Sequence, residues 1–240
     1  MIYVLKIQSF LKSIQLTSMS LIKLFFLSNL MRFRFPKKNI SNRELLILGN
    51  GPALIKDINE INNLNSYDKL AVNHFAESVL YCELKPSYYC VNAPELFFDS
   101  SDDKTEKRRD ILFNSLVLKT SWNITLLVIN AASKESKWQN IIAMNPNIKV
   151  TYYNNNPFDG FKFVKYFIWR YNLGLPAPHN VIIPSIILAI NENYNVINLV
   201  GVDHSWLKEI IVQDDNLVLL NQEHFYDHKE FKLEPMRKGI

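Results

Sequence analysis

The sequence predicts an α/β fold in which a mostly parallel sheet is covered by helices on both faces. From Leu45 onward, short apolar runs typical of strands alternate with stretches of helical periodicity, which is the pattern of βαβ units. The first apolar run passes through Gly49-Asn50-Gly51-Pro52 into a helical pattern, as a strand-to-helix turn requires. With 240 residues, 48% of them apolar, the chain can bury a substantial core.

Each element is assigned from the period of its apolar residues and from the turn residues that flank it. Six strands are predicted at about 45–48, 69–73, 87–92, 125–130, 149–153 and 196–201. Five helices are predicted at about 53–62, 76–82, 105–117, 161–171 and 182–193. This order favours a Rossmann-like architecture in one domain over residues 43–240, preceded by a leader over residues 1–42.

Positive charge is concentrated in the leader. The net charge is +4, and eight of the 27 Lys and Arg residues lie in the first 46 positions beside a single acid, Glu44. The remainder of the chain is close to neutral. Because no basic groove extends over the domain, we do not expect the protein to bind nucleic acid.

The apolar and basic leader predicts an amphipathic helix at a membrane surface. Lys6, Lys12 and Lys23 interrupt it, so no uninterrupted apolar run reaches the roughly 18 to 20 residues that cross a bilayer. A signal peptide is not indicated, because a basic start, an apolar centre and a small-residue cleavage site do not follow in order. Residues 1–38 would lie on the anionic inner membrane surface. The alternatives are packing on the domain or a partner subunit, and a translation start at Met19 or Met31.

The two cysteines predict a reducing environment. Cys82 and Cys90 lie eight positions apart, without the spacing of a metal site. We expect both to be reduced core residues of a cytosolic protein, rather than a disulfide or a reactive thiol.

The segment FKFVKYFIWRY, from Phe161 to Tyr171, mixes aromatic and basic residues. Such a mixture can form a stacking surface for nucleic acid. Its helical periodicity favours instead an amphipathic helix with the lysines outward.

Polar residues follow several predicted strands at the point where each strand ends. Asn50, Asn73 and Asn92 follow the first three strands, and Asp203 follows the last. Because the carboxyl ends of parallel strands meet at one edge of a sheet, we expect these side chains to converge on one ligand. An amide offers both a donor and an acceptor, as ribose hydroxyls, a base edge or a sugar require. Each asparagine by itself is also typical of a turn or a cap.

The turn Gly49-Asn50-Gly51-Pro52 has two interpretations. Its glycines would let a ligand approach the main-chain N–H groups that begin the next helix, where phosphate is favoured. The motif is neither G-x-G-x-x-G nor a Walker P-loop, so a plain turn is the alternative.

Five segments between Leu46 and Asp227 occur in the order found in one enzyme family. They are LGNGP, VNHF, VNAPELFF, HNVIIPSIILAINENYNVINLVGVDHSW and HFYDH. Together they resemble the bacterial sialyltransferases of glycosyltransferase family 42, which have a Rossmann-like fold and use CMP-activated sialic acid. The resemblance implies that residues 43–240 form a nucleotide-sugar-binding domain.

The resemblance also implies roles for individual residues. Asn50 and Gly51 would contact the nucleotide phosphate, and Asn73 and Asn92 would lie near the ribose and the donor sugar. Asn180 stands where the family has small polar residues that touch the donor carboxylate or base.

Asp203, in the Gly-x-Asp that ends the last strand, completes the predicted substrate-binding set. The chain departs from the family pattern at three places: Ala53 replaces serine, His74 replaces glutamine, and His204 follows Asp203 where the family has aromatic residues. Of the paired tyrosines that stabilise the departing phosphate, Tyr226 is a candidate for one. The donor sugar is therefore left open.

His224 and His204 are the predicted catalytic histidines. The acceptor hydroxyl must lose its proton as the glycosidic bond forms, and an imidazole accepts a proton near neutral pH. The resemblance makes His224 the base, and a solvated loop histidine is the alternative. His204 is the rival base or leaving-group donor, with a turn residue as its alternative. No Asp-x-Asp follows a strand, which favours a metal-independent reaction with a nucleotide monophosphate donor and no cofactor.

These observations predict a cytoplasmic glycosyltransferase, peripheral on the inner membrane, that moves a sugar from a CMP-linked donor to a surface glycan. A weaker resemblance, to the 6-hydroxymethylpterin pyrophosphokinase-like group, gives an ATP- and Mg²⁺-dependent alternative. A third is a non-catalytic subunit that binds a nucleotide or a glycan. The chain ends at Ile240 without the helix and strand that would close such a domain, and a truncated reading frame would explain this ending.

Overall fold

Six parallel strands form the central sheet of the protein, with helices against it. The structure is a computed structural model, which describes residues 2–29, 43–98, 103–203, 210–221 and 233–235. The predicted α/β, Rossmann-like fold is confirmed in this part of the chain.

All six predicted strands are present, each within one residue of its predicted bounds. They are β1 (Glu44–Leu48), β2 (Asp68–Val72), β3 (Tyr88–Val91), β4 (Ile124–Ile129), β5 (Ile148–Tyr153) and β6 (Val196–Val200). Their order across the sheet is β5-β4-β3-β2-β1-β6, and all neighbouring pairs are parallel. Every residue of β3 and β4 is buried, as expected for central strands covered on both faces.

The helices divide between the two faces of the sheet. They are α1 (Ile2–Leu27), α2 (Leu54–Asn59), α3 (Leu80–Leu84), α4 (Asp103–Lys119), α5 (Ser136–Ile142), α6 (Lys162–Arg170) and α7 (Ile182–Asn191). Strands β1 to β5 are added in one direction, and β6 returns to the far side of β1. Because crossovers are right-handed, this reversal moves α6 and α7 to the face opposite α2–α5. Two consecutive residues of β3 show this division. The Tyr89 hydroxyl accepts the Ala76 N–H on one face of the sheet, and Cys90 contacts Ser185 of α7 on the opposite face.

The structure differs from the predicted elements in three places. The helix predicted at 76–82 is divided into a 3₁₀ turn over Asn73–Glu77 and the short helix α3. Helix α5 was not predicted, because its seven residues are too few to show a clear period. A second sheet was also not predicted; it is antiparallel and contains β7 (Ile210–Val212), β8 (Val218–Asn221) and β9 (Leu233–Pro235).

The predicted N-terminal helix is present as α1. Its portion Leu5–Leu27 is long and apolar enough to cross a membrane by length and composition, despite the lysines. The requirement for an uninterrupted apolar run was therefore too strict. A signal sequence near an N-terminus or a buried core helix has the same character, so this property alone fixes no location.

One stripe of α1 packs on the domain through hydrogen bonds. Thr17 Oγ1 accepts the Phe161 N–H at 2.9 Å. At the end of the helix, Asn154 Oδ1 accepts the Asn29 N–H at 2.8 Å, and Asn154 Nδ2 donates to the Asn29 carbonyl at 2.6 Å. Packing of the leader on its own domain, one of the alternatives from the sequence, is therefore present along this stripe.

The two cysteines have different environments. Both are free thiols. Cys90 is buried in β3 as expected, but Cys82 is exposed on α3, and its assignment to the core was wrong. Helix α3 has five residues and buries one of them, Tyr81, which leaves its other side chains nearer to solvent.

Candidate ligand-binding edge

The carboxyl edge of the sheet has a topological switch point between β1 and β6. The chain continues from β1 to β2 on one side, whereas β6 pairs with β1 on the other. Ligands of open parallel sheets bind in the crevice at such a point. Three predicted substrate-binding residues lie in the loops here: Asn50 and Gly51 after β1, and Asp203 after β6.

Backbone hydrogen bonds join these two loops directly. The Gly49 N–H donates to the Val200 carbonyl, and the Gly51 N–H donates to the Gly201 carbonyl, both at 2.8 Å. A Cβ atom at Gly51 would lie 2.7 Å from the Gly201 oxygen and would overlap the Asp203 carboxylate. The close approach of the loops therefore requires glycine here even without a ligand.

Asp203 binds the start of the helix that follows the β1 loop. Its Oδ2 accepts the Ala53 N–H at 3.0 Å. Asp57 of α2 accepts in turn the N–H of Gly201, whose φ of 62° favours glycine, at 2.8 Å. Asp203 thus places a negative charge at the start of this helix, where phosphate binding was one interpretation of the sequence. At the Ala53 amide, this arrangement supports the plain-turn interpretation.

The two ends of the Asn50 side-chain amide differ in their hydrogen bonding. Its Nδ2 donates to the Val72 carbonyl at the end of β2, at 3.3 Å. Its Oδ1 is buried and has no hydrogen-bond partner among the described residues. Buried polar atoms without a partner are uncommon and call for an explanation, such as an absent ligand or water.

Asn73 and Asn92 are linked to each other across β2 and β3. Asn73 has a φ of 44°, and its Oδ1 accepts the Asn92 N–H at 3.3 Å. Asn92 is buried, and its Oδ1 accepts from the Tyr153 hydroxyl at 2.9 Å. Tyr153 ends β5, so its side chain reaches beneath β4 to the end of β3. The side-chain oxygens of Asn73 and of Asn92 are thus both hydrogen-bonded within the sheet.

The three asparagines lie at the ends of adjacent strands, as the sequence predicted. Neighbouring strands are about 4.8 Å apart, so the three positions span roughly 10 Å of the edge. In the described part of the chain, the side-chain Nδ2 of Asn73 and of Asn92 has no acceptor. The edge therefore combines one acceptor, on Asn50, with two donors.

Two further asparagines follow strands and were missed as members of this series. Asn130 comes directly after β4, and Asn154 comes directly after β5. Their position directly after a predicted apolar run was the signal in the sequence that could have identified them. Asn154 holds the leader helix and donates to the Asn172 carbonyl at 2.9 Å, so its amide has a structural use.

Asn180 caps the first turn of α7. Its Oδ1 accepts the N–H groups of Ile182 and Ile183, at 3.0 and 3.2 Å. Helix α7 ends at the amino edge of the sheet, where Arg43 donates to the Glu192 carbonyl at 2.7 Å. Since the helix runs back along the strands, its capped first turn lies toward the carboxyl edge. The Asn180 oxygen is occupied by the cap, and its predicted contact with a donor stays a prediction.

A histidine–carboxylate pair follows β2. Nδ1 of His74 lies 2.5 Å from Oε1 of Glu77 on the 3₁₀ turn that begins at Asn73. A carboxylate at Nδ1 fixes the orientation of the ring. From the sequence, His74 was considered only as a departure from the family motif, because the partner three residues on becomes visible only once the turn is known.

The three predicted catalytic residues, His204, His224 and Tyr226, lie outside the described residues. Within the described ranges, no group of three His, Cys, Asp or Glu residues could hold a metal ion. The described part of the site thus consists of the loops and amides of the carboxyl edge.

Comparison with protein-family models gives no match, and comparisons with curated proteins and with solved structures give none either. The resemblance to family 42 sialyltransferases therefore stays a prediction from short motifs. The α/β fold itself rests on the structure.

Proposed function

We propose that the protein transfers a sugar from a nucleotide donor to a glycan acceptor, with the donor bound across the carboxyl ends of β1, β2 and β3. The observation that carries this proposal is the buried Oδ1 of Asn50, which has no partner in the part of the chain that the structure describes. A ligand N–H or O–H placed there would satisfy it. The amide donors of Asn73 and Asn92 lie on the next two strands.

A nucleotide matches this arrangement of groups. A cytosine carries an amino donor beside acceptors, and ribose hydroxyls both donate and accept. An edge with one unpaired acceptor and two amide donors is complementary to either. This supports the CMP-linked donor that the family resemblance implies.

The proposed chemistry needs one base. The acceptor oxygen forms a bond to the anomeric carbon while the bond from that carbon to the phosphate oxygen breaks. The nucleotide leaves with that electron pair, and a histidine takes the hydroxyl proton. From the sequence, His224 is assigned as the base, His204 is its rival, and Tyr226 contacts the phosphate. The scheme uses no metal and no other cofactor.

We also propose that the protein is cytoplasmic and peripheral on the inner membrane, through residues 1–38. The described helix α1 has three lysines, at positions 6, 12 and 23, and no acidic residue. Cationic helices with exposed apolar side chains bind anionic lipid. The acceptor would be a surface glycan under synthesis at that membrane.

Calorimetry with CMP, CDP and ATP, each with and without Mg²⁺, tests the nucleotide site. We expect CMP to bind without metal. Asn50→Ala should weaken CMP binding at least about tenfold, because the ligand loses Oδ1 as its hydrogen-bond acceptor. Asn140→Ala, at an exposed asparagine of α5, is the matched control and should bind like the wild type. ATP binding that requires Mg²⁺ would instead support the pyrophosphokinase, and failure of all three nucleotides would reject the proposal.

Turnover separates an enzyme from a binding subunit. With a CMP-linked sugar and a glycan acceptor, His224→Ala should abolish transfer while CMP still binds. If His224→Ala keeps the wild-type rate and His204→Ala does not, the base is His204. A wild-type protein that binds CMP but transfers nothing with any acceptor would be a binding subunit.

A further inference from the structure

We propose that α6 is a second membrane-contacting helix beside α1, so that the two helices form one surface that lies on an anionic lipid bilayer. The inference rests on the peripheral attachment proposed above and not on the transfer reaction. It adds a contact that the leader sequence does not contain.

The outward face of α6 is aromatic. Phe163 is 84% exposed, and Tyr166 and Phe167 are each 51% exposed. Their spacing of three and four residues places them on one side of the helix. The opposite side buries Ile168 against the domain. The sequence predicted a helix with its lysines outward, and that prediction missed the three aromatic side chains on the solvent side.

The outward face of α1 is also apolar. The stripe that contains Thr17 and Leu24 packs on the domain. Large side chains on the rest of the helix are exposed: Ile7, Leu11, Ile14, Met19, Ile22, Phe25 and Phe26. A large set of exposed apolar side chains on one helix face indicates a binding surface.

Helix α1 packs against the start of α6 and shares a buried cluster with it, so their exposed faces are neighbours. The rings of Phe10 and Phe161, the residue before α6, lie 5.5 Å apart. One buried cluster contains Leu24 of α1, Ile168 of α6, and Phe158 from the segment before α6. A groove between α1 and Phe161 is lined by Leu5, Lys6, Ser9, Phe10, Ser13 and Phe161. A bilayer that meets α1 therefore meets a surface continuous with α6.

Charge selects anionic lipid as the occupant. Together, the two helices contain the basic residues Lys6, Lys12, Lys23, Lys162, Lys165 and Arg170 and no acid. Lys162 lies 5.7 Å from the ring centre of Tyr166, and Lys165 pairs with Asp159 at 3.3 Å. Aromatic rings beside cationic side chains suit the headgroup region of a membrane. Two copies of this surface would bring like charges together, which disfavours self-association through it.

Vesicle cosedimentation of the full-length protein tests the proposal. The variant Phe163→Ser/Phe167→Ser should bind vesicles of phosphatidylcholine and phosphatidylglycerol about tenfold more weakly than the wild type, because two exposed aromatic anchors are lost. The control Ile111→Ser/Leu118→Ser removes two exposed side chains of α4, Leu118 being 83% exposed, and should bind normally. Wild-type binding by the α6 variant would overturn the inference.

Two further measurements distinguish other outcomes. Phe25→Ser/Phe26→Ser tests α1 alone: if it weakens binding while the α6 variant does not, the leader attaches the protein and α6 has no part. In sedimentation velocity without lipid, a wild-type dimer that the α6 variant abolishes would show a second copy on this face and would also overturn the inference. With brominated lipid, Phe163→Trp should be quenched more strongly than the four native tryptophans of the wild type.

Discussion

Asp203 and Ala53 join the two loops at the switch point of the sheet, with the Ala53 N–H donating to the Asp203 carboxylate at 3.0 Å. Asp57 accepts the Gly201 N–H in the opposite direction, at 2.8 Å. The loops after β1 and β6 are therefore held as one unit. A ligand that satisfies Asn50 would meet a preformed wall there, which lowers the ordering cost of binding.

Gly51→Ala should destabilise the protein. The added methyl group would lie 2.7 Å from the Gly201 carbonyl oxygen and would overlap Asp203, so one loop must move. We expect the free energy of unfolding in urea to fall by about 1–3 kcal/mol. Adding Asp203→Ala should recover part of this loss, with a coupling of at least about 0.5 kcal/mol, because only the carboxylate clash is relieved. A Gly51→Ala protein as stable as the wild type would contradict the contact between the loops.

Tyr153→Phe should also destabilise the protein, through Asn92. The variant removes the hydroxyl that donates to Asn92 Oδ1 at 2.9 Å, leaving a buried oxygen without that donor. We expect a loss of about 1–3 kcal/mol in urea unfolding. Tyr152→Phe is the control, because Tyr152 is half-buried and its neighbour in sequence. Its effect should stay within about 0.5 kcal/mol, and equal effects of the two variants would rule out a special role for the Tyr153 hydroxyl.

The strands of the fold could be predicted because each central strand is a short, mainly apolar run between turn residues. β4, with the sequence ITLLVI, is buried at every position and has no rival interpretation. Helix α5 could not be predicted in this way, because Trp138 and Ile142 are its only buried residues and a single four-residue interval defines no period. The 3₁₀ turn at Asn73–Glu77 begins at Asn73, which has a positive φ and accepts the N–H of Asn92, a contact distant in sequence.

The candidate site was predictable in position but not in its hydrogen bonds. That Asn50, Asn73 and Asn92 end adjacent strands follows from strand order. The hydrogen bond from Tyr153 to Asn92 could not be predicted, because Tyr153 ends β5, which lies two strands away from β3 in the sheet. No local sequence pattern contains this position. Gly51 illustrates the same limit: its neighbour Asp203 is distant in sequence, so a close approach of loops could not be told from a phosphate-binding turn.

Asn154→Ala should loosen the end of α1. It removes three hydrogen bonds, two with Asn29 and one with the Asn172 carbonyl. We expect hydrogen exchange of the backbone amides at residues 24–29 to become at least about tenfold faster, because the local opening free energy falls. Asn155→Ala, at the adjacent half-buried asparagine, is the control and should exchange like the wild type. Equal exchange in the two variants would show that Asn154 does not anchor the helix.

Stability should fall as the solution becomes alkaline, and Cys90 should account for part of the fall. Burial raises the pKa of the Cys90 thiol to about 11 from its ordinary value of 9.0. Between these values the unfolded chain loses this proton and the folded chain keeps it, so the free energy of unfolding decreases with rising pH. Two pKa units correspond to roughly 3 kcal/mol.

Urea unfolding between about pH 8 and pH 11 measures this dependence. Burial also raises the pKa of Tyr81 and of Tyr153, so every variant that keeps these tyrosines should lose stability in this range. Cys90→Ala should show a shallower loss than the wild type, whereas Cys82→Ala, at the exposed thiol, should keep the wild-type slope. The comparison uses slopes, because Cys90→Ala also leaves a small cavity that lowers stability equally at every pH. Parallel curves for the Cys90 variant and the wild type would mean that the buried thiol does not contribute.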